Sequence, residues 1–251
     1  MTVDIHTHIL PDIDDGAEDL TEALNIIKAL KAQGVTDVVL TPHFYFRNQD
    51  FDAFLEKRNT KYAELKSVCP HGITLHLGAE SEFSNVSINY DFFRGLAIDN
   101  GGYILLELPF LDDYTKGILQ KIERLKYQTG LTPIIAHAER YQSIRKQPCF
   151  LSYLADLGCL IQVNAESVLN LKKGSLIDAM FNHRLVHLLG SDCHNTTTRK
   201  PLYAAAYKKI EDCYGRNMID SLNDFGMRVI ENQQIQVFSE TKVKRIFGKY
   251  Y

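Results

Sequence analysis

The sequence has little of what marks a secreted, membrane-spanning or nucleic-acid-binding chain. Its five cysteines (Cys69, Cys149, Cys159, Cys193 and Cys213) are scattered, with no C-x-x-C pair. An odd, unpatterned set predicts reduced thiols in a reducing compartment. No stretch approaches the roughly 20 apolar residues that a membrane span needs. The N-terminal region lacks a basic stretch followed by an apolar run and a small-residue cleavage site. Together these absences predict a cytoplasmic protein with no membrane insertion. An excess of positive charge is missing too. Lys and Arg number 28 against 31 Asp and Glu, a net charge of −3, which argues against a nucleic-acid partner. The densest basic run, KVKRIFGKYY at the C-terminus, reads as a solvated tail, with a contact surface as the second reading. No linker or low-complexity segment divides the 251 residues, and 45% hydrophobic content supplies one sizeable core. One domain over residues 1–251 is expected.

What is present is an alternation of short β-rich runs with helical patterns. TVDIH, TDVVLTPH, ITLHLGAE, YILLELP, TPIIAH, CLIQVNAES and LVHLLGSDCH read as seven strands. Between the first two, residues 19–33 place Leu20, Ala23, Leu24, Ile27 and Leu30 on one helical face, and Gly34 stops the helix. YTKGILQKIERLKYQTG reads as another helix closed by Gly130. Several strands are nearly continuous apolar runs, as expected where both faces are buried. Seven β/α units predict an α/β fold with a parallel sheet wrapped by helices. A closed or nearly closed barrel is expected, and a doubly wound open sheet is the alternative.

The ionisable residues cluster at strand ends. His6 and His8 end the first strand and His43 the second. Glu80, Glu107 and His137 end the next three, and Asp192 and His194 the last. In a parallel barrel all these ends lie at one face. His6 and His8 are two apart, so a regular strand points both to the same side. Imidazoles mixed with carboxylates suit zinc, manganese or iron, whereas carboxylates gathered without cations would repel. A structural role is the ordinary reading of any one such histidine. It weakens when six of seven strand ends carry one of these groups. His71, His76, His183 and His187 lie mid-strand or in loops and receive no role.

In order, DIHTHILPDIDDG, TPHF, GAES, LELPF, AHAERY and SDCHN resemble the PHP (polymerase and histidinol phosphatase) family. They are most similar to its manganese-dependent tyrosine-protein phosphatases of bacterial capsule and exopolysaccharide biosynthesis. The likeness runs from about residue 3 to 200. It implies a distorted (β/α)7 TIM-like barrel with three divalent ions, manganese first and iron or zinc possible. By motif, one ion would take His6, His8, Glu80 and Asp192. A second would take Glu80, Glu107 and His137, and a third Asp15, His43 and His194. The family's pattern selects Asp15 over Asp14; spacing alone does not. Three divalent ions against four carboxylates leave about +2, which favours an anionic substrate. Arg140 and Arg199 match the family's phosphate-binding arginines, and a guanidinium suits phosphate oxygens.

The resemblance thus implies a protein-tyrosine phosphatase, a metal-dependent phosphoric monoester hydrolase. Its substrate would be a phosphotyrosine protein such as a membrane-associated bacterial tyrosine kinase. Asp15 or His43 could assist departure of the phenolate. A histidinol phosphate-type phosphatase or a phosphodiesterase is the alternative within enzymes. A catalytically silent metal-binding module docked on the kinase is the alternative outside them. CHNTTTR (Cys193 to Arg199) satisfies C-x5-R, the pattern of cysteine-based tyrosine phosphatases. It lacks the glycines that let backbone N–H groups cradle a phosphate, so no nucleophilic role is expected for Cys193. FYFRNQDFDAF, residues 44–54, reads as helix packing and local core, or as the rim of a groove for a tyrosyl ring.

Overall fold

Residues 1–83, 90–110 and 116–251 are described in the computed structural model. β1 (Val3–Thr7), α1 (Leu20–Ala32), β2 (Asp37–Leu40), β3 (His43–Phe44) and α2 (Phe51–Ser67) open the chain. β4 (Thr74–Leu77), β5 (Glu80–Glu82), α3 (Phe92–Leu96), β6 (Tyr103–Glu107), α4 (Lys116–Thr129) and β7 (Thr132–Ile135) follow. Next come α5 (Gln142–Lys146), α6 (Phe150–Asp156), β8 (Leu160–Asn164), α7 (Ala165–Leu169), α8 (Leu176–Asn182) and β9 (Leu188–Gly190). α9 (Tyr203–Tyr214), α10 (Arg216–Ile230) and the hairpin of β10 (Arg245–Ile246) and β11 (Lys249–Tyr250) close it. Tyr114 and Thr115 of the expected YTKGILQ helix lie outside the described residues.

α1 shows how local sequence sets an element. Asp19 caps it by accepting from Glu22 N, and Gly34 leaves it with φ +86°. Ala23, Ile26, Ile27 and Leu30 form its buried face. Leu20, expected on that face, is exposed; as the first residue of the helix it lies one turn before the buried run that begins at Ala23.

All pairings among β1 to β9 are parallel, and they form two ladders, β1-β2-β4 and β3-β5-β6-β7-β8-β9. The second and third expected strands are each broken in two, at Thr41–Pro42 and at Gly78–Ala79. A proline cannot donate to a ladder, so the first break falls where pairing must lapse. The edges meet between β9 and β1. Asp192 N donates to His6 O, His8 N donates to Cys193 O, and Thr7 bridges Cys193. The sheet is therefore curled into a distorted barrel with seven strand positions. The open-sheet alternative fails at this seam.

The apolar runs split by alternation. Val3, Ile5, Val39, Leu105, Ile134, Leu160 and Leu188 fill the barrel, and Val229 of α10 packs on them. Ile104, Leu106, Ile135, Ile161 and Leu189 face the helices in a larger outer layer. α10 can approach because it carries Gly226, where a Cβ would lie 2.9 Å from Val3 Cβ. No helix among the described residues is long and apolar enough to cross a membrane. The C-terminal basic run is not a loose tail. It forms the β10–β11 hairpin, with Val243 buried beneath it.

His76 lies away from the strand ends that carry the histidines expected as ligands. Its Nδ1 is 2.6 Å from Asp99 Oδ2 and its Nε2 3.3 Å from Asp37 Oδ1. Burial opposes the charged ring, but the two carboxylates outweigh it and raise its pKa. A raised histidine pKa contributes stability fully below the unfolded value near 6.5, and that contribution is lost as pH rises through the folded value. The predicted contribution is about 1 kcal/mol or less, since Asp99 is partly exposed. Urea unfolding of wild type and His76→Gln should differ most near pH 6 and converge in alkali. A difference that grows with pH would refute the assignment.

Candidate metal centre

β1 and the residue just beyond it deliver His6 and His8 through an irregularity. Val3 and Asp4 pair with Asp37 and Val38, but Thr7 pairs with Leu40, so β1 spends one residue more than β2. Ile5 joins the barrel interior and its neighbour His6 also turns inward to Glu80 and Gln162. Two consecutive inward side chains are possible only at such a bulge. His6 Nε2 and His8 Nε2 meet at 3.0 Å.

Glu80, at the start of β5, is the hub. Its Oε1 is 2.8 Å from His137 Nε2. Its Oε2 lies 3.2, 3.3 and 3.1 Å from His6 Nε2, His8 Nε2 and His43 Nδ1. Burial pushes the Glu80 carboxyl up, but His6 and the other imidazoles hold it well below its usual range. His137 responds in the opposite sense. Burial lowers it, yet Glu107 and Glu80 raise it to about 10. His8 is likewise held well above its ordinary value, against burial, by Asp14 and Glu80. This pocket favours positive charge despite being buried. His43 is lowered by burial and by His8, and His194 falls to about 3 through burial, His8 and Arg199. Both are neutral rings with lone pairs to offer.

Nine predicted ligands converge, though the grouping differs from the expected one. His8, Asp15, His43 and His194 form one set, His6, His8 and Glu80 a second, and His43, Glu80 and Glu107 a third, each with ligand atoms within 4.8 Å. His8 thus also reaches the group expected for Asp15, His43 and His194. His137 stands beside the third set, 2.8 Å from Glu80 and 3.5 Å from Glu107. Asp192 lies outside these tight sets. Its Oδ1 is 3.8 and 3.6 Å from His6 and His8 Nε2. Arg140 Nη1 at 3.0 Å, Arg199 Nη2 at 2.8 Å and Asn164 Nδ2 at 2.8 Å hold it instead. Two cationic guanidinium groups outcompete the rings for its oxygens. His137 and Asp192 have φ of +31° and +52°, a left-handed conformation whose strain is typical of functional positions.

The donor set fits divalent ions. Glu80 Oε2, His43 Nδ1 and His137 Nδ1 are buried with no aligned hydrogen bond among the described residues. His8 Nδ1 faces Asp14 Oδ2 at 2.7 Å and His6 Nδ1 faces Gln162 Oε1 at 3.2 Å. With those nitrogens protonated, two Nε2 lone pairs point at each other and at a carboxylate. A cation resolves that arrangement.

Three contributors were not legible from motif spacing alone. Asp14, passed over as a ligand in favour of Asp15, has a nearly buried side chain, 4% exposed. It holds His8 Nδ1 and accepts from His43 N at 3.0 Å. Asp12 is exposed beside Lys57 and Lys61. Gln162 and Asn164 sit on β8, the strand end without a histidine or acid. Gln162 Oε1 also accepts from His137 N at 2.7 Å, and its Nε2 donates to Asn164 Oδ1 at 2.9 Å. The amides at i and i+2 on an inward face were the available signal. Gln162→Leu is predicted to weaken manganese binding by about 10–100-fold, with Gln162→Glu restoring the acceptor and part of the affinity. Equal affinity in all three proteins by metal titration would refute this supporting role of Gln162.

Cys193 is fully buried, with its thiol raised far above its usual value by burial and by Asp4. It cannot present a thiolate to substrate. Of the aromatic segment 44–54, Phe44 and Phe54 are buried core, while Tyr45 stacks on His43 at 5.1 Å. Phe110 stacks on His137 at 5.5 Å, with Arg140 above it at 5.3 Å. Arg140 and Arg199, each about two-fifths exposed, line a cavity of about 320 Å³ with Lys200 and Ser167 beside Asp192. His187 is a neutral structural histidine, lowered to about 4 by burial and accepting from Ile161 N.

The sequence pattern of the family described as "Capsular polysaccharide synthesis, CpsB/CapC" matches residues 2–230. The putative tyrosine-protein phosphatase CapC of Staphylococcus aureus is 31% identical, over 98% of this chain and 99% of that protein. The tyrosine-protein phosphatase YwqE of Bacillus subtilis is 28% identical over the same shares. One chain from the crystal structures of YwqE from Bacillus subtilis and CpsB from Streptococcus pneumoniae, metal-dependent tyrosine phosphatases, superposes with a TM-score of 0.82. It is 27% identical and covers 97% of this chain and 100% of that one. Matched over nearly its whole length, this chain belongs to the CpsB/CapC capsular polysaccharide synthesis family.

Proposed function

We propose that the chain is a metal-dependent protein-tyrosine phosphatase of capsule or exopolysaccharide synthesis, acting in the cytoplasm as one domain. Its substrate would be a phosphotyrosine protein such as a membrane-associated tyrosine kinase. The observation that carries this reading is the convergence of three His/carboxylate sets beside two half-exposed arginines. The relatives' names support the same chemistry. The nine residues His6, His8, Asp15, His43, Glu80, Glu107, His137, Asp192 and His194 would hold three ions, with manganese the first choice.

Bound there, divalent ions would supply a water activated toward deprotonation and charge neutralisation at the phosphoryl oxygens. Arg140 and Arg199 reach in from the cavity side to grip the other phosphoryl oxygens as charge develops. Water oxygen bonds to phosphorus, the bond from phosphorus to the phenolic oxygen breaks, and tyrosine and inorganic phosphate leave. No side chain needs to form a covalent bond. His43, kept neutral, suits ligation better than proton donation. Asp15, open to solvent and 3.5 Å from Arg199, would be ionised as a ligand, so the departing phenolate takes its proton from solvent water. Tyr45 and Phe110 offer ring surfaces on two sides of the site, which favours an aryl over an alkyl phosphate.

The test is hydrolysis by manganese-loaded protein of a phosphotyrosyl peptide, histidinol phosphate and a nucleotide diester. Turnover of the peptide alone, or best, is expected. Activity confined to histidinol phosphate or to the diester would overturn the proposal. Full metal occupancy with no hydrolysis would favour a silent binding module. Cys193→Ser should keep kcat/KM within about threefold of wild type. A metal-loaded Cys193→Ser protein without activity would restore the cysteine mechanism.

A further inference from the structure

The β10–β11 hairpin has a tip that nothing in the fold explains. Arg245 pairs with Tyr250 and Ile246 with Lys249, leaving Phe247 and Gly248 as a two-residue turn. Both have positive φ, +49° and +80°. Such a turn takes Asn, Asp or Gly at its first central position as a rule. Here that position holds phenylalanine, and its side chain is completely exposed at 103% of the reference area. Ile246 beside it is 49% exposed and Tyr251 58%.

The hairpin is held firmly at its other end. Lys244 and Tyr251 exchange backbone hydrogen bonds at 2.7 and 2.9 Å. Tyr250 N donates to Gly174 O at 3.1 Å, and its hydroxyl donates to Arg145 O at 2.9 Å. Val243 is buried. The tip is thus an aromatic ring displayed on an anchored support. Residues 241–251 carry Lys242, Lys244, Arg245 and Lys249 and no acidic side chain. Lys172 and Lys173 precede the anchoring Gly174. None of these six cations pairs with a carboxylate among the described residues.

We propose that this hairpin tip, Ile246 and Phe247 flanked by Lys244, Arg245 and Lys249, docks the protein reversibly on an anionic lipid surface. The chemistry matches: the ring enters the boundary between headgroups and acyl chains, and the lysine stems keep their charges at headgroup level. The shape favours lipid over a protein partner. A convex apex with one ring offers little of the roughly 800 Å² per partner of a standard protein interface. The hairpin is anchored on Gly174, just before α8, and on Arg145 of α5. One ring and a few charges give weak, salt-sensitive binding, which is peripheral contact and not insertion of a span.

The chain contains no tryptophan, so Phe247→Trp carries a single reporter at the tip. Its emission should shift to the blue on vesicles of phosphatidylcholine with phosphatidylglycerol, return in high salt, and stay unmoved on phosphatidylcholine alone. In co-sedimentation, Phe247→Asn, which suits the turn, and Lys244→Glu with Arg245→Glu should each lose about tenfold or more of the wild-type affinity for anionic vesicles. Hydrolysis of soluble phosphopeptide should be unchanged in all of them. Unmoved emission on anionic vesicles, or Phe247→Asn sedimenting like wild type, overturns the proposal. Unmoved emission on vesicles with a blue shift on polyglutamate would reassign the tip to an acidic protein.

Discussion

Glu80→Gln is expected to abolish tight manganese binding and to lower kcat/KM on a phosphotyrosyl peptide by on the order of 10³-fold or more. Loss of a group one step removed from a metal ligand typically costs about 10–100-fold, and Glu80 is closer than that. Its two oxygens stand within 3.3 Å of four imidazoles, those of His6, His8, His43 and His137. The carboxylate is buried, so its charge acts at low dielectric. Glutamine has nearly the same shape and keeps one oxygen for His137 Nε2, so the fold should survive while the charge is lost. The measurements are metal content after dialysis, kcat/KM, and urea unfolding in the presence of chelator. A variant that keeps wild-type manganese stoichiometry and more than about a tenth of the activity would remove Glu80 from the hub position.

Gly16→Ala should be the most damaging single methyl in the loop after β1. A Cβ there would lie 2.0 Å from His8 O and 2.7 Å from His8 Cβ. Both atoms belong to a proposed ligand residue, and the nearer is backbone, so no flexible side chain can yield. Close approach is the reason for glycine here; the positive φ in the loop belongs to Asp12 at +57°. The loop is closed by Ala17 N to His8 O at 3.1 Å and Gly16 N to Asp14 Oδ1 at 3.0 Å. An added methyl must push Asp14 and Asp15 away from His8 and His43. The expected cost is about 3 kcal/mol or more, roughly a 6–12 °C fall in Tm for a chain of this size, together with weaker metal binding. Gly34→Ala is the contrast. Its φ is +86° with nothing within 4 Å of the added Cβ, so it should cost only backbone strain, about 1 kcal/mol. Equal melting of the two variants would refute the close-approach argument.

Both predictions concern residues that the sequence singles out, yet their strength comes from neighbours far along the chain. The strand ends are legible because burial on both faces leaves continuous apolar runs, and a polar residue closing such a run stands out. The family pattern then separates Asp15 from Asp14 as a ligand. It says nothing of Asp14 as the support of His8, because that contact depends on how the loop folds back. Gln162 is equally silent in the sequence. A neutral amide in an apolar strand acquires a role only when His6, 156 positions earlier, comes to face it.

The sequence by itself determined the α/β alternation, the parallel strand order and the chemical character of one end of the barrel. Those follow from periodicity and from which side chains can be buried, and both are local properties. Only the tertiary structure decided that the sheet closes between β1 and β9 and that a bulge turns His6 inward. It alone decided which imidazoles share a carboxylate, and that the C-terminal basic run is a hairpin and not a tail. Distances between side chains more than a hundred residues apart depend on curl, register and close approach, and none of these is encoded at any single position.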